Sequence, residues 1–567
     1  MRRFLCLSLL SLVCFFAAAQ DSLYLVKNYP NPFCGTTNVQ LAVEEAGEVT
    51  LVVADVYGNS RTRWTRSMES GVHELRVTLR SKGYYVLGAH QNGRRSSLLM
   101  LCNAGGGADR IEYLARIGDF PKAEQEPTTE AVEEEREEES NDEGQEETSK
   151  KKAPKTRALD DSTPEPFRVA LSLSPFTQNQ FDQGYTFIVG DRTATTPAEL
   201  QQIYRDLGST EMYVRLATKR HVTYKADGSL DNTTDGEEDE NANVHTFDQV
   251  IKTCKLAASL NIPINPEVMC AYTYMDMDKA QAPRFEEYPE IYALQHGKKW
   301  EELTMEEICT VLEAYGEFVG RAILATGCTV NDWNIGNEAN FGFAGIGMGQ
   351  PNSFDQKLAK AGVLRRYLSP LFGVWWLKKH VWRYEALAMA AVKSGILKAY
   401  EKMGKDASNV RFSTHIATVV STPRCSAAFF KYMNQHGYEM QTAGISYYPS
   451  APAMSLNKKR MLKKTVTRIK KKSGLPVFIG EFSYPSGEME GPFSGWNKQL
   501  SGYAKDQQGQ ADIYKDVIKW GKTHGVAGIR YWAPDYKGWY AMSMFEFDKN
   551  KVGTAKMILT NHKELVK

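Results

Sequence analysis

The chain lacks an excess of either charge: 69 Lys and Arg stand against 68 Asp and Glu, a formal net charge of +1 over 567 residues. That balance gives no basis for a nucleic-acid partner and suits a neutral substrate. Long apolar runs are also missing. The stretch from Phe4 to Phe16 falls short of the ~20 residues a membrane span needs, and 363–382 is interrupted by Arg365, Arg366, Pro370, Lys378 and Lys379. Cysteine is sparse, nine residues in all, with no metal-ligand spacing. No glycine-rich phosphate loop supports nucleotide chemistry. An integral membrane span, a nucleic-acid partner, a bound metal and a cofactor are therefore not expected. Aromatic residues, by contrast, make up 11% of the chain, and many fall near the ends of candidate strands.

A chain of this length predicts about two or three folded units. Residues 1–19 read as a signal peptide: Arg2 and Arg3 precede the apolar segment, and Ala17-Ala18-Ala19 offers a small-residue cleavage site. The mature protein is expected to be exported, whether periplasmic, on the cell surface or secreted. Without Cys6 and Cys14 an odd number of cysteines remains. Cys34 and Cys102 are candidates for a bridge between the first and last strands of a small domain, while Cys254, Cys270, Cys309, Cys328 and Cys425 read as buried thiols.

Residues 20–120 predict an all-β unit, from the alternation of Val49, Leu51 and Val53 and then of Leu75, Val77 and Leu79. Asn28-Tyr29-Pro30-Asn31-Pro32-Phe33, the Val56-Tyr57-Gly58 turn and the closing Leu98-Leu99-Met100-Leu101 resemble the immunoglobulin-like domain related to the flagellar hook-capping protein. That resemblance implies a spacer or a module for docking to the cell envelope. Residues 121–165 are dominated by glutamate, then by Lys150-Lys151-Lys152, and predict an extended acidic linker. The basic stretch 458–472 keeps Leu462, Val466 and Ile469 at helical spacing and reads as a helix with one solvated face.

From 166 to 567 strand and helix signals alternate. Candidate strands fall at 169–173, 212–216, 262–268, 332–336, 410–416, 444–447, 476–480 and 528–532. Between them Phe247, Val250, Ile251 and Cys254 share a helical face behind Thr246 as candidate cap. Thr304 and Glu307 have capping-box spacing ahead of Ile308, Val311, Leu312 and Tyr315. Eight strands joined by crossovers predict an α/β fold, a (β/α)8 barrel with its chemistry at the C-terminal strand ends. A doubly wound open sheet is the alternative.

Glu338 follows Asn337 after the fourth strand, and Glu481 follows the seventh. Two carboxylates on separate strand ends suit glycosidic bond cleavage, one protonating the leaving oxygen and the other attacking the anomeric carbon. In this reading Glu338 is the acid/base and Glu481 the nucleophile, with Asn337 holding a sugar 2-hydroxyl. Arg215 is expected to keep Glu481 ionised, His415 and Tyr447 to orient the carboxylates, and Trp532 to floor the sugar site. Glu267 and Tyr448 are candidates for the cleft wall. A binding barrel without turnover and a surface adhesin remain rival readings.

Four stretches resemble glycoside hydrolase family 53, the endo-β-1,4-galactanases, within the clan of retaining barrel hydrolases. They are Gly336-Asn337-Glu338, Gly444 to Pro449, Glu481 to Pro485, and the ending built from Leu500 to Tyr503, Gln508 to Ala511 and Tyr531 to Pro534. The resemblance implies a retaining two-glutamate mechanism and a β-linked polysaccharide partner, β-1,4-galactan. The chain departs from the family pattern after Arg215, where no tryptophan follows, at Pro266 to Cys270, and at Ser450-Ala451-Pro452, where the family has an aromatic.

Overall fold

The computed structural model describes residues 23–29, 33–55, 60–92, 94–119, 166–452 and 458–567. The expected signal peptide at 1–19, the acidic linker at 121–165, the Val56-Tyr57-Gly58 turn and Pro30 to Pro32 lie outside them. The chain divides into two compact units, 1–153 and 154–567.

The first unit is a pair of β-sheets. One has the strand order Leu23–Tyr29, Thr36–Val43, Gly71–Thr78, Arg110–Gly118, all antiparallel. The other runs Phe33–Cys34, Arg94–Ala104, Gly83–Gln91, Gly47–Asp55, Ser60–Met68. Alternate residues of both, among them Val39, Leu41, Val49, Leu51, Leu75, Val77 and Leu87, meet in one buried core. The period of two in the sequence is the cause, since successive side chains leave a strand on opposite faces. The candidate Cys34–Cys102 bridge is not formed. Cys102 stands opposite Phe33, buried, and donates its thiol hydrogen to the Ala104 carbonyl, while Cys34 is exposed.

The second unit holds eight parallel strands, β1 (Arg168–Ala170), β2 (Met212–Leu216), β3 (Ile264–Val268), β4 (Asp332–Ile335), β5 (Arg411–Ala417), β6 (Thr442–Tyr447), β7 (Val477–Phe482) and β8 (Val526–Tyr531). Their order is β1-β8-β7-β6-β5-β4-β3-β2, each paired in parallel with the next. Most are buried along their whole length, as parallel strands covered on both faces must be. No ladder joins β1 to β2. Side chains and loop backbone close that seam: Thr210 N donates to Val169 O at 2.8 Å, Val169 N to Thr210 Oγ1 at 2.9 Å, and Tyr213 N to Ser172 Oγ at 3.0 Å. The result is a (β/α)8 barrel.

Helices cover its outside. Met305–Ala325 starts on the expected capping box, Thr304 Oγ1 accepting from Glu307 N and Glu307 accepting from Thr304 N. Phe247–Ser259 starts after Thr246, but that hydroxyl donates to Gln249 instead of capping the helix. In Lys458–Ser473 the residues Leu462, Val466 and Ile469 are buried beneath a solvated basic face. Among the described residues no helix is long and apolar enough to cross a membrane.

Candidate active site

Glu481 lies within β7, one residue before its end, and a β-bulge aims it. On the β6 side Ile445 pairs with Ile479 and Ser446 with Glu481, so Gly480 is skipped. On the β8 side the register slips between Ile479 and Phe482 as well. An unpaired residue bends the strand and redirects its neighbour's side chain. Arg530, on β8, donates to the Gly480 carbonyl at 3.2 Å and so satisfies a group the bulge leaves out of the ladder. Glu338 is reached by a different device. β4 ends at Ile335, Gly336 takes φ +89°, and Glu338 itself takes φ +46°. A non-glycine residue in that left-handed region is strained, and strain of this kind clusters where a side chain must be held in a set position.

The Glu481 carboxylate is surrounded by donors. Arg215 Nη2 donates to its Oε1 at 2.5 Å, and the hydroxyls of Tyr448 and Ser446 donate to its Oε2 at 2.6 and 3.4 Å. His415 Nε2 lies 3.6 Å from Oε1. Beneath this sits Glu267, fully buried. Its Oε1 accepts from Arg215 Nε at 2.6 Å and from Tyr213 OH at 2.9 Å, and its Oε2 accepts from Asn334 Nδ2 at 2.6 Å. His415 Nδ1 is 3.2 Å from that same oxygen. Arg215 Nη2 also donates to Asn337 Oδ1 at 3.0 Å, while Asn337 Nδ2 donates to Met275 O at 2.5 Å. The Asn337 amide is thereby fixed from both ends.

These partners drive the two glutamates apart in acidity. Burial raises Glu338, the nearby Glu481 charge adds to it, and its pKa is pushed up to about 8. Burial also opposes the charge on Glu481, but His415 and Arg215 outweigh it and pull that pKa down to about 2. His415 gains from Glu267 and Glu481 more than burial takes away, and it rises to about 9. Glu267 is held well below the usual carboxylate range because Arg215, His415 and Arg530 overcome its burial. At neutral pH Glu338 therefore carries a proton beside an ionised Glu481, with Glu267 ionised beneath them.

Of the residues singled out in sequence, Glu338, Glu481, Asn337, Arg215, His415, Tyr448 and Glu267 are brought together at the C-terminal side of the barrel. Trp532 follows β8 and packs its ring against the Arg215 guanidinium at 4.2 Å. Tyr447 is not with them. Gly444 and Ser446 face inward, so Tyr447, the next residue, faces outward, against Phe482 under the helices, with a buried hydroxyl that has no partner among the described residues. Tyr448, two residues on from Ser446, takes the inward position and the contact with Glu481. Glu267 is no cleft wall but the buried floor of the network. Sequence reasoning missed Arg530, Tyr213 and Asn334. All three sit inside strands, where a polar residue among apolar ones signals an inward-facing position. Among the described residues no group of three or more His, Cys, Asp or Glu is placed to hold a metal ion.

Residues 293–565 match the family described as Glycosyl hydrolase family 53. The matched stretch takes in β4 to β8 and both Glu338 and Glu481. The match and the paired glutamates make the chain a glycoside hydrolase. β1 to β3, with Arg215 and Glu267, precede the matched stretch. Among solved structures the family 53 catalytic domain from Ignisphaera aggregans is similar with a TM-score of 0.50 and 15% identity, covering 72% of this chain and 98% of that one. One of two fungal β-1,4-galactanases aligns with a TM-score of 0.48 and 13% identity, over 70% of this chain and 99% of that one. At 15% identity the likeness to the Ignisphaera aggregans domain is one of fold. No curated protein matches the chain.

Proposed function

We propose that this chain is a family 53 enzyme, an exported, retaining endo-β-glycosidase that hydrolyses β-1,4-linked galactan. The observation that carries the mechanism is the opposed acidity of Glu338, raised to about 8, and Glu481, lowered to about 2. A protonated acid and an ionised nucleophile are what double displacement needs. Glu338 gives its proton to the glycosidic oxygen as Glu481 Oε attacks the anomeric carbon, forming a glycosyl ester and releasing the leaving sugar. Glu338, now a carboxylate, takes a proton from water as that water attacks the ester, and Glu481 departs ionised.

The surrounding residues serve these steps. Arg215, His415 and Tyr448 hold the nucleophile's charge and fix its direction. Asn337 spends one amide hydrogen on Met275 O and keeps the other for a sugar 2-hydroxyl, a bond that strengthens as positive charge develops on the ring. Trp532 offers an apolar surface beside Arg215. The substrate reading rests on the galactanase-like motifs and the family match. Export and a tether through 121–165 to an envelope-docking first domain rest on the sequence of the leader and the linker.

The test is release of new reducing ends from linear β-1,4-galactan by the mature chain, with Glu481→Gln as control and the anomeric form of the first product read by proton NMR. Release of β-anomers that vanishes in the variant is expected. Initial α-anomers would sink the retaining mechanism. Variant-sensitive release from β-mannan or β-glucan alone would move the substrate and leave the mechanism. No release from any of these would leave a binding barrel.

A further inference from the structure

The loop after β7 carries an aromatic side chain to the edge of the site, and the chain braces that loop unusually well. Asn497 Oδ1 accepts from Met489 N at 2.7 Å, and its Nδ2 donates to Met489 O at 3.1 Å and Ser494 O at 3.0 Å. Ser486 N donates to Ala541 O at 3.0 Å, and Lys498 N to Ser450 O at 3.2 Å, which ties the loop to its neighbours after β8 and β6. Trp496 N donates to Phe493 O at 2.8 Å. Residue 496 is therefore held on a strap with little freedom of its own.

Trp496 stands next to the nucleophile's own partner. Its ring centroid is 5.1 Å from that of Tyr448, whose hydroxyl is on Glu481. Trp539 is 5.8 Å away and Phe493 5.6 Å. All three meet it tilted or edge-on, at 57°, 69° and 79°, so no ring is stacked parallel on the indole. Trp539, Met489 and Met542 are buried and form the base of this cluster, whereas Trp496 is only half-buried at its rim. Among the described residues its indole N–H has no protein acceptor. Beside it in the loop after β6, Ser450-Ala451-Pro452 presents no aromatic ring, and Gly495 lies against Pro452.

We infer that Trp496 is a sugar-stacking platform for the unit of the polysaccharide adjoining the one cleaved, supplying from the β7 loop the flat apolar face that the β6 loop does not. The inference rests on the glycosidase reading of this site and deepens it. A β-galactopyranose unit, whose axial 4-oxygen leaves H3, H4 and H5 clustered on one face, lays that face on the indole. The free N–H then donates to a hydroxyl at the ring's edge. An aromatic held rigidly before binding loses little entropy on capture, which is why a strap braced this way suits the role.

Binding to the full mature chain in a Glu481→Gln background tests it, by calorimetry with β-1,4-galactotetraose, β-1,4-mannotetraose and cellotetraose as separate probes. Trp496→Ala is expected to weaken the bound tetraose about tenfold or more, and Trp496→Phe to restore most of the loss. Trp496→Leu keeps bulk without a flat face and is expected to behave as alanine, which covers a failure of the alanine variant to fold. In the otherwise wild-type enzyme the alanine change raises KM and leaves kcat within about twofold. Galactotetraose unbound, but another tetraose held with the same dependence on Trp496, would discard the galactan reading and keep the platform. Equal binding by parent and variants would overturn the platform whatever the sugar. Binding of none of the three would overturn both.

Discussion

Arg215 reaches Glu481 at 2.5 Å with Nη2 while its Nε lies 2.6 Å from Glu267, so two carboxylates share one buried guanidinium. Glu267 touches no solvent, and its charge also faces His415 and Arg530. Glu267→Gln therefore leaves three cationic groups short of a counter-charge in the barrel interior. Removing one partner of a buried ion pair costs about 3–5 kcal/mol, far more than the net worth of the pair. Urea unfolding of the variant is expected to show that loss, and kcat to fall on the order of a hundredfold as Glu481 shifts. An unchanged unfolding midpoint would show that the network is not held together by Glu267.

The opposed acidities set a pH window for turnover. Activity needs Glu481 ionised, which holds above about 2, and Glu338 protonated, which holds below about 8. The alkaline limb of kcat/KM is thus expected near pH 8, where Glu338 loses its proton. With a nitrophenyl β-glycoside the leaving group needs no acid, so Glu338→Gln is expected to lose that limb while the first step still runs. An alkaline limb that stays in place in the variant belongs to another group, with His415, raised to about 9, the first candidate.

The eight strands were legible because parallel strands buried on both faces read as short apolar runs between turn signals, as in Val477-Phe478-Ile479 and Gly444-Ile445. Two features at the site were not. The bulge at Gly480 follows from pairing on both flanks, which no local pattern encodes, and it is why Glu481 belongs to β7 instead of following it. The orientation of Tyr447 and Tyr448 turns on which of two alternate faces looks inward, and the end of a run does not say. The small residues Gly444 and Ser446 carry the signal, since the crowded barrel interior takes small side chains there while Ile445 and Tyr447 pack outward beneath helices. Arg530 stands in the middle of the expected strand 528–532, and nothing local tells that its guanidinium is buried beside Glu267 and the Gly480 carbonyl.

Gly444 makes a specific demand of its own. A Cβ placed there would lie 2.4 Å from His415 Cβ and 2.8 Å from Thr414 O, the second a backbone atom that cannot swing aside. Gly444→Ala is expected to push β5 and β6 apart and destabilise the barrel by about 1–3 kcal/mol. It should also lower kcat by displacing His415 from Glu481. Gly487→Ala is the control: its Cβ would meet only Ala541 Cβ at 3.8 Å, an ordinary contact, and a change within about 0.5 kcal/mol is expected. Equal midpoints for the two variants would remove the steric argument.

Tyr447 and Tyr448 are adjacent, chemically identical and placed on opposite faces of one strand end, which makes them a paired experiment. The Tyr448 hydroxyl donates to Glu481 at 2.6 Å, and a hydrogen bond to a charged group contributes about 1.5–3 kcal/mol. Tyr448→Phe is expected to lower kcat by about ten- to a hundredfold, because the lost donor both misaligns the nucleophile and raises its pKa. Among the described residues the buried Tyr447 hydroxyl has no partner, so deleting it strands no acceptor or donor there. Tyr447→Phe should leave kcat unchanged and hold or slightly raise the unfolding midpoint, by up to about 1 kcal/mol. The reverse pattern, with Tyr447→Phe the damaging change, would mean that the inner face of β6 is the other one and that Glu481 is held by a different set of donors.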